Sequence, residues 1–213
     1  MDRQKILAIG RDVLRLEAET LLETSFMLDE SGFAEAVELI YECTGNVIIL
    51  GVGKSGHVGK KIAATFSSTG TSSFFVHPVE ARHGDMGAIK ESDLVILLSY
   101  SGGSEELISL LPNLEYRHVK TISITGNPSS ALAEKTDVHI ALSVRREACP
   151  HNLAPTASSN ATLALGDALA IVVMQLRGFT KADFLKNHPA GSLGRMLVAA
   201  GNSSAGIHEQ LKS

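Results

Sequence analysis

The sequence predicts an α/β protein: an open, mostly parallel sheet with helices packed on both faces. Three observations point there. Short apolar runs such as Asp93-Leu94-Val95-Ile96-Leu97-Leu98 lack the in–out alternation of a strand with one wet face, which suits strands buried on both sides. Such runs alternate with stretches of helical periodicity through the middle of the chain, the pattern of βαβ units. Two of them run straight into glycine- and serine-rich turns that open helices, Gly51-Val52-Gly53-Lys54-Ser55-Gly56 and Ser99-Tyr100-Ser101-Gly102-Gly103-Ser104. Turns of that kind fall at the carboxyl edge of a parallel sheet, where ligands of such folds bind.

In chain order, Ile6, Ile9, Val13, Leu16, Leu21 and Leu22 recur at helical spacing and predict an amphipathic helix over residues 3–28. Ser31 and Gly32 punctuate, a second helix runs through Tyr41 and Glu42, and Gly45 stops it. The first strand is Asn46 to Leu50, followed by a helix from about His57 to Ser68 and a second strand from Ser73 to Val76. His77 to Gly87 is expected to be a polar loop. The central strand leads into one helix, Ser104 to Arg117, then a fourth strand from Lys120 to Thr125. A short helix near Ser130 to Lys135 and a fifth strand near Val138 to Leu142 complete the alternation. Arg145 to Pro155 has no periodicity and is taken as an irregular loop. Ala157 to Arg177 is expected to be the longest helix, with Gly178 in a C-cap position. Thr180 opens a last short helix before His188-Pro189-Ala190-Gly191. One domain over residues 1–200 is expected, with a frayed, Gly/Asn/Ser-rich tail over 201–213.

Composition narrows the function. A chain of 213 residues with 44% hydrophobic and 20% charged residues is an ordinary globular protein. Its net charge of -4 offers no electrostatic footing for nucleic acid or for an anionic membrane. Cys43 and Cys149 have no metal-binding spacing and are too few for a disulfide framework, so a reducing, cytoplasmic setting is expected. The charged N-terminus has no apolar core of signal-peptide length, and the apolar stretch from Leu163 to Leu176 is broken by Asp167 and short for a bilayer.

GVGKSG is a literal G-x-G-x-x-G, yet the second strand ends Phe75-Val76-His77-Pro78, with no acidic residue for a ribose hydroxyl pair. A P-loop would need glycine where Ile48 stands. What remains is a tight turn presenting Lys54 and Ser55, beside a second turn rich in small hydroxyls at a helix start. Donors of that kind suit a phosphate. Two such turns on one sheet point to a phosphorylated small molecule; each alone is equally a βα turn with a solvent-facing side chain.

The segments GVGKSG, SSTGTSSFFVHPVEARHGDMG, SYSGGSEE, REACPHNLAPTASSNATLALGDALA and NHPAGSLGR resemble the sugar isomerase (SIS) domain of D-arabinose 5-phosphate isomerases over about residues 1–198. The resemblance implies a three-layer αβα sandwich on a five-stranded parallel sheet and a homotetramer with sites shared between subunits. It implies interconversion of D-ribulose 5-phosphate and D-arabinose 5-phosphate, precursor of the lipopolysaccharide sugar Kdo, with relatives serving capsule synthesis or sugar-alcohol catabolism. By motif position the catalytic set is Lys54, Glu106, Glu147 and His188. The substrate would be surrounded by Ser55, Gly70, Thr71, His77, His83, Ser99, Ser101, Ser104 and Thr156. Longer members carry a pair of CBS domains, and the sequence as given ends before a pair would fit, so a short form is expected.

Such an isomerase moves a proton between C1 and C2 through a cis-enediol, which needs a carbon base, an oxygen acid and support for the enediolate. Glu147 is the expected base, its carboxyl raised by partial desolvation among Cys149, Pro150 and Leu153; alternatively it pairs with Arg145 or Arg146 at the surface. His188 would handle oxygen protons, in this chain or in a neighbour's site, or else cap a helix. Lys54 would face the enediolate or the phosphate. Glu106 sits where the helix dipole favours a carboxylate regardless of function, and would orient Lys54 or hold a sugar hydroxyl. Ser101 and Thr156 double as candidate N-caps. His77 and His83, in H-x5-H spacing near Glu80 and Asp85, could bind a metal; no cofactor is required by the mechanism, and zinc at His77 is expected to inhibit. The alternatives are a silent sugar-phosphate-binding regulatory module and an isomerase of a hexulose or heptulose phosphate.

Overall fold

A computed structural model describes residues 1–188. The NHPAGSLGR motif beyond His188 and the tail over 201–213 lie outside the described residues. The elements are α1 (Arg3–Phe26), α2 (Phe33–Glu42), β1 (Val47–Gly51), α3 (Gly53–Ser68), β2 (Ser73–Val76) and α4 (Pro78–Arg82). They continue with β3 (Leu94–Leu98), α5 (Glu105–Ile108), α6 (Leu111–Tyr116), β4 (Lys120–Thr125), α7 (Ala131–Lys135), β5 (Val138–Ala141), α8 (Ala157–Leu176) and α9 (Lys181–Asn187). Single 3-10 turns cover Leu28–Glu30 and Asp85–Ala88.

The sheet is five-stranded and all parallel, in the order β2-β1-β3-β4-β5. Every residue of β1 and β3 is buried, as their unbroken apolar runs require. β2 is an edge strand, and Phe74 is partly exposed there. The core divides into two sets, one on each face. Ile49, Ile96, Ile122 and Ile140 pack with Ile40 of α2, Phe66 of α3 and Leu165 and Leu169 of α8. Ile48, Leu50, Val95 and Leu97 pack on the other face with Leu107, Leu114 and Leu132. The chain is therefore a three-layer αβα sandwich. Because the chain leaves β1 toward β2 and returns on the other side to β3, the switch point lies between the carboxyl ends of β1 and β3. The two Gly/Ser turns sit there.

Four local expectations change. α3 begins at Gly53 rather than near His57, so Lys54 and Ser55 ride on its first turn. The region from His77 to Gly87 is ordered: His77 caps α4, accepting from Val79 N–H through Nδ1 at 3.3 Å, with Pro78 at the first helical position. The helix expected over 104–117 is two, because Pro112 lacks an N–H and its ring excludes the carbonyl of Ile108; Leu110 N–H turns to Leu107 O at 3.0 Å instead. α8, whose 20 residues make it shorter than the 24 of α1 rather than the longest helix, is by length and composition apolar enough to cross a bilayer, yet it is the central helix of one layer, packed on α1, α2 and α3. Its Asp167 pairs with Lys61 of α3.

The amino ends of β1 and β3 are tied by Asp93, which is buried and accepts from Asn46 N–H at 2.7 Å, Asn46 Nδ2 at 3.0 Å and Lys90 N–H at 2.8 Å. Removing the carboxylate leaves three partly buried donors without this partner, a cost of about 3 kcal/mol taken together. Asp93→Ala is expected to lower the thermal midpoint by roughly 6–12 °C, measured by calorimetry. On the outside, α1 buries only Leu16, Thr20 and Thr24, leaving Ile6, Leu7, Ile9 and Leu14 exposed.

Candidate active site at the sheet switch point

The serine turn follows β3. Ser99 is buried, and its hydroxyl bonds to that of Ser104 at 2.8 Å, with Ser101 Oγ 3.5 Å away. Gly103 N–H donates to Ser101 Oγ at 3.3 Å. The N-cap of α5 is Ser104, not Ser101, and its side chain makes no capping bond, so that hydroxyl is free for the turn's interior. Gly102 adopts φ 66°, and a Cβ there would stand 2.0 Å from Ser130 Oγ, so this position holds the turn against the β4–α7 connection. Gly126 N–H to Tyr100 O, 2.8 Å, and Leu132 N–H to Gly102 O, 3.3 Å, tie the same two segments.

Beside the turn opens a cavity of about 350 Å³, lined among others by Lys54 and Ser55 from α3, Tyr100, Arg145, Arg146 and Glu147 from the β5–α8 connection, and Ser158 from α8. Three cations and one carboxylate line it. Lys54 is exposed, and Arg145 pairs with Glu23 of α1 at 2.9 Å. Tyr100 donates its hydroxyl to Val144 O at 3.2 Å; burial and the charge of Glu147 push its phenol above the usual value.

Glu147 is 8% exposed and sits at the start of α8. Oε2 accepts from Thr156 N–H at 2.7 Å, Thr156 Oγ1 at 2.9 Å and Ser158 N–H at 3.3 Å, while Oε1 accepts from Ser158 Oγ. Its own N–H donates to Asn152 Oδ1 at 2.7 Å. The expected upward shift is reversed. Burial does push the carboxyl up, but the donors from Ser158 and Thr156 outweigh it and hold the acid below the ordinary 4.5 of a glutamate. Nor does Glu147 pair with Arg145 or Arg146; it closes the exposed amides of α8, with the helix dipole in its favour. Thr156 gives both its donors to Glu147 and accepts from Ala148 N–H at 2.8 Å, so it acts through the carboxylate rather than as a free substrate ligand.

The remaining sequence-predicted residues divide between two edges of the sheet. Glu106, half-buried in the first turn of α5, and His77 and His83, at the two ends of α4, belong to the carboxyl edge with the serine turn. Because His77 Nδ1 accepts from Val79, the neutral ring carries its proton on Nε2 and offers a donor outward. Among the described residues no three His, Cys, Asp or Glu side chains converge as a metal site. Gly70 and Thr71 precede β2 and lie at the opposite, amino edge, where Gly70 meets the ring of Phe179 and Thr71 Oγ1 accepts from Arg177 at 3.0 Å. His188 ends α9 near that edge: Nδ1 bonds to Phe184 O at 3.0 Å, the ring stacks on Phe184 at 3.9 Å, and the neighbouring Asn187 reaches Ser67 O. One chain does not bring Gly70, Thr71 and His188 to the cavity holding Lys54 and Glu147.

Ser158, Asn152 and Tyr100 have places in this site that the sequence reading did not assign. Ser158 gave no signal in the sequence, because Thr156 was itself a candidate N-cap; the structure shows that the Thr156 side chain makes no capping bond, so the amide of Ser158 finds its acceptor in Glu147.

Comparison with known proteins gives the family of the chain. The SIS domain family matches residues 39–172. Arabinose 5-phosphate isomerase KdsD of Salmonella typhi is 51% identical over 189 residues, covering 89% of this chain and 57% of the relative. Arabinose 5-phosphate isomerase GutQ of Escherichia coli O6:H1 is 48% identical over 197 residues, covering 92% of this chain and 60% of the relative. The chain thus spans about three-fifths of the curated relatives it matches. The solved structure of E. coli CFT073 c3406 in complex with arabinose 5-phosphate is 39% identical and superposes with a TM-score of 0.85, covering 89% of this chain and all of that one.

Proposed function

The chain belongs to the SIS domain family, and from that premise we propose that it is an aldose–ketose isomerase interconverting D-ribulose 5-phosphate and D-arabinose 5-phosphate. The observation that carries the reading is the meeting of Lys54 and an ionised Glu147 in one cavity, next to a turn of three serine hydroxyls, at the switch point of the sheet. Relatives near 50% identity that carry the name arabinose 5-phosphate isomerase, and a 39% identical structure holding arabinose 5-phosphate, support it.

In this reading the phosphate sits in the turn of Ser99, Ser101 and Ser104, with Ser55 and His77 donating nearby. That places C1 and C2 in the cavity. Glu147 takes the proton from C1 of the open-chain ketose; the C1–H pair forms the C1=C2 bond and the carbonyl electrons move to O2, giving the enediolate. Lys54 faces that negative oxygen, and Glu106 orients Lys54 or holds a sugar hydroxyl. Return of the proton to C2 with transfer between O1 and O2 gives the aldose. His188, with Gly70 and Thr71, would reach the reacting atoms from a neighbouring subunit, which is why we place the protein as a homotetramer with shared sites. The exposed apolar residues of α1 are surface available for such association. We place the enzyme in the cytoplasm, acting on a small sugar phosphate without nucleic acid or membrane and feeding Kdo or capsule synthesis.

A silent sugar-phosphate-binding module is the second reading, favoured by the commitment of Glu147 to the start of α8. A substrate panel separates the two: pentulose, hexulose and heptulose 5-, 6- and 7-phosphates are offered in turn, and products are identified by carbon NMR. Turnover of ribulose 5-phosphate alone supports the proposal; binding without turnover supports the module. No cofactor is required in this mechanism, so chelator is expected to leave turnover unchanged. Added zinc is expected to inhibit through His77, and inhibition that survives in His77→Ala would place the metal elsewhere.

A further inference from the structure

We propose that Ser158 is a positioning residue for Glu147, gripping both carboxylate oxygens so that Oε1 alone keeps acceptor capacity for a substrate proton. This rests on the reading of Glu147 as the carbon base. A carboxylate offers about four lone-pair sites. Oε2 already takes three donors, two from Thr156 and the Ser158 N–H at 3.3 Å, whereas among the described residues Oε1 takes only the Ser158 hydroxyl. One lone pair on Oε1 is left over.

Thr156 touches Oε2 only and would allow the carboxylate plane to turn about that oxygen. Ser158 holds Oε2 with its amide and Oε1 with its hydroxyl, which stops that rotation. The residue is 3% exposed, yet it lines the same cavity as Glu147 and Lys54, so its hydroxyl is a buried polar group committed to one task. Helix formation does not ask for it, since alanine at the second position of α8 would keep the backbone amide. The charged and titratable groups that line the cavity with Glu147 are Lys54 from α3, Arg145 and Arg146 from its own connection, and Tyr100 from the β3 turn, whose phenol feels the charge of Glu147. The donors of Ser158 and Thr156, rather than an ion pair, account for the lowered pKa of the carboxyl.

Ser158→Ala removes the hydroxyl and keeps the amide; Ser158→Thr keeps both. Two readouts are taken on the full chain: the titration of Glu147, followed by carboxyl carbon NMR and assigned by its loss in Glu147→Gln, and the pH profile of kcat/KM with ribulose 5-phosphate. In Ser158→Ala the Glu147 midpoint is expected to rise, the acidic limb of the profile to move up with it, and kcat to fall about tenfold with KM little changed. Ser158→Thr is expected to restore all three. A folded Ser158→Ala with an unmoved midpoint and limb would overturn the assignment, as would a threonine variant that behaves like the alanine one. The carboxyl titration needs no turnover. A wild-type protein inactive on pentulose phosphates, but showing the alanine shift, would therefore remove the isomerase reading while leaving the positioning of Glu147 standing.

Discussion

Glu147→Gln is expected to lower kcat by about 10²–10⁴-fold, the usual contribution of a positioned general base, with the sugar phosphate still bound at the serine turn. Contrary to a purely catalytic view of the residue, it should also cost stability. The carboxylate receives donors from Thr156 and Ser158, and an amide can accept on one atom only. If the glutamine oxygen takes the place of Oε2, its NH2 faces Ser158 Oγ, which can turn to accept. The fold survives at a loss of about 1–3 kcal/mol.

That loss depends on pH with a definite sign. The folded carboxyl titrates below the ordinary 4.5, so its contribution is complete above that pH and is lost as pH falls through the folded value. The stability gap between wild type and Glu147→Gln, measured by urea unfolding, should therefore be constant near neutrality and close in acid. A gap that instead widens as pH falls toward 4.5, and is level below it, would mean that the carboxyl is raised, as the sequence alone suggested.

Gly102→Ala is expected to weaken sugar-phosphate binding by about 10–100-fold, read by calorimetry, and to destabilise the fold by about 2–4 kcal/mol. The position has φ 66°, and the added methyl would fall 2.0 Å from Ser130 Oγ and 2.3 Å from Ser130 Cβ. Backbone on both sides is fixed, by Gly102 N–H to Ser99 O at 3.0 Å and by Leu132 N–H to Gly102 O. The clash therefore cannot relax without opening the turn that holds Ser99 and Ser104 together. Ser130→Gly in the same chain should recover part of the affinity, since it removes the atoms struck but not the strained φ. Unchanged affinity in Gly102→Ala would detach the turn from the phosphate.

The sheet was legible because its information is local. Leu94 to Leu98 and Val47 to Leu50 are apolar throughout, and only a strand covered on both faces asks for that. The carboxyl-edge position of the Lys54 and Ser99 turns followed from the alternation of strands and helices. Elements of four to six residues were less legible: α4 carries too few residues for a period to show, although Pro78 after His77 and Pro112 inside the expected helix were both usable signals.

The site was half legible. Residue types and motif positions brought out Lys54, Glu147 and the serines, but the electrostatics of Glu147 depend on donors nine and eleven residues later in the chain. Counting its apolar neighbours without those donors gave the wrong direction. Gly70, Thr71 and His188 show the converse: the motifs named them, while the fold of one chain puts them at the other edge of the sheet. The arrangement between subunits that we propose for them would not be encoded in any local pattern.

The most direct test of the central claim is to run the reaction with D-ribulose 5-phosphate in deuterium oxide and follow C2 of the product by carbon NMR. Proton transfer through an enediol to and from Glu147 predicts arabinose 5-phosphate carrying solvent deuterium at C2 to the extent that the carboxyl exchanges before returning its proton, and a product formed about 10²–10⁴-fold more slowly by Glu147→Gln. A Glu147→Gln variant that forms the product at the wild-type rate, or the absence of any product from the wild-type protein, would contradict it.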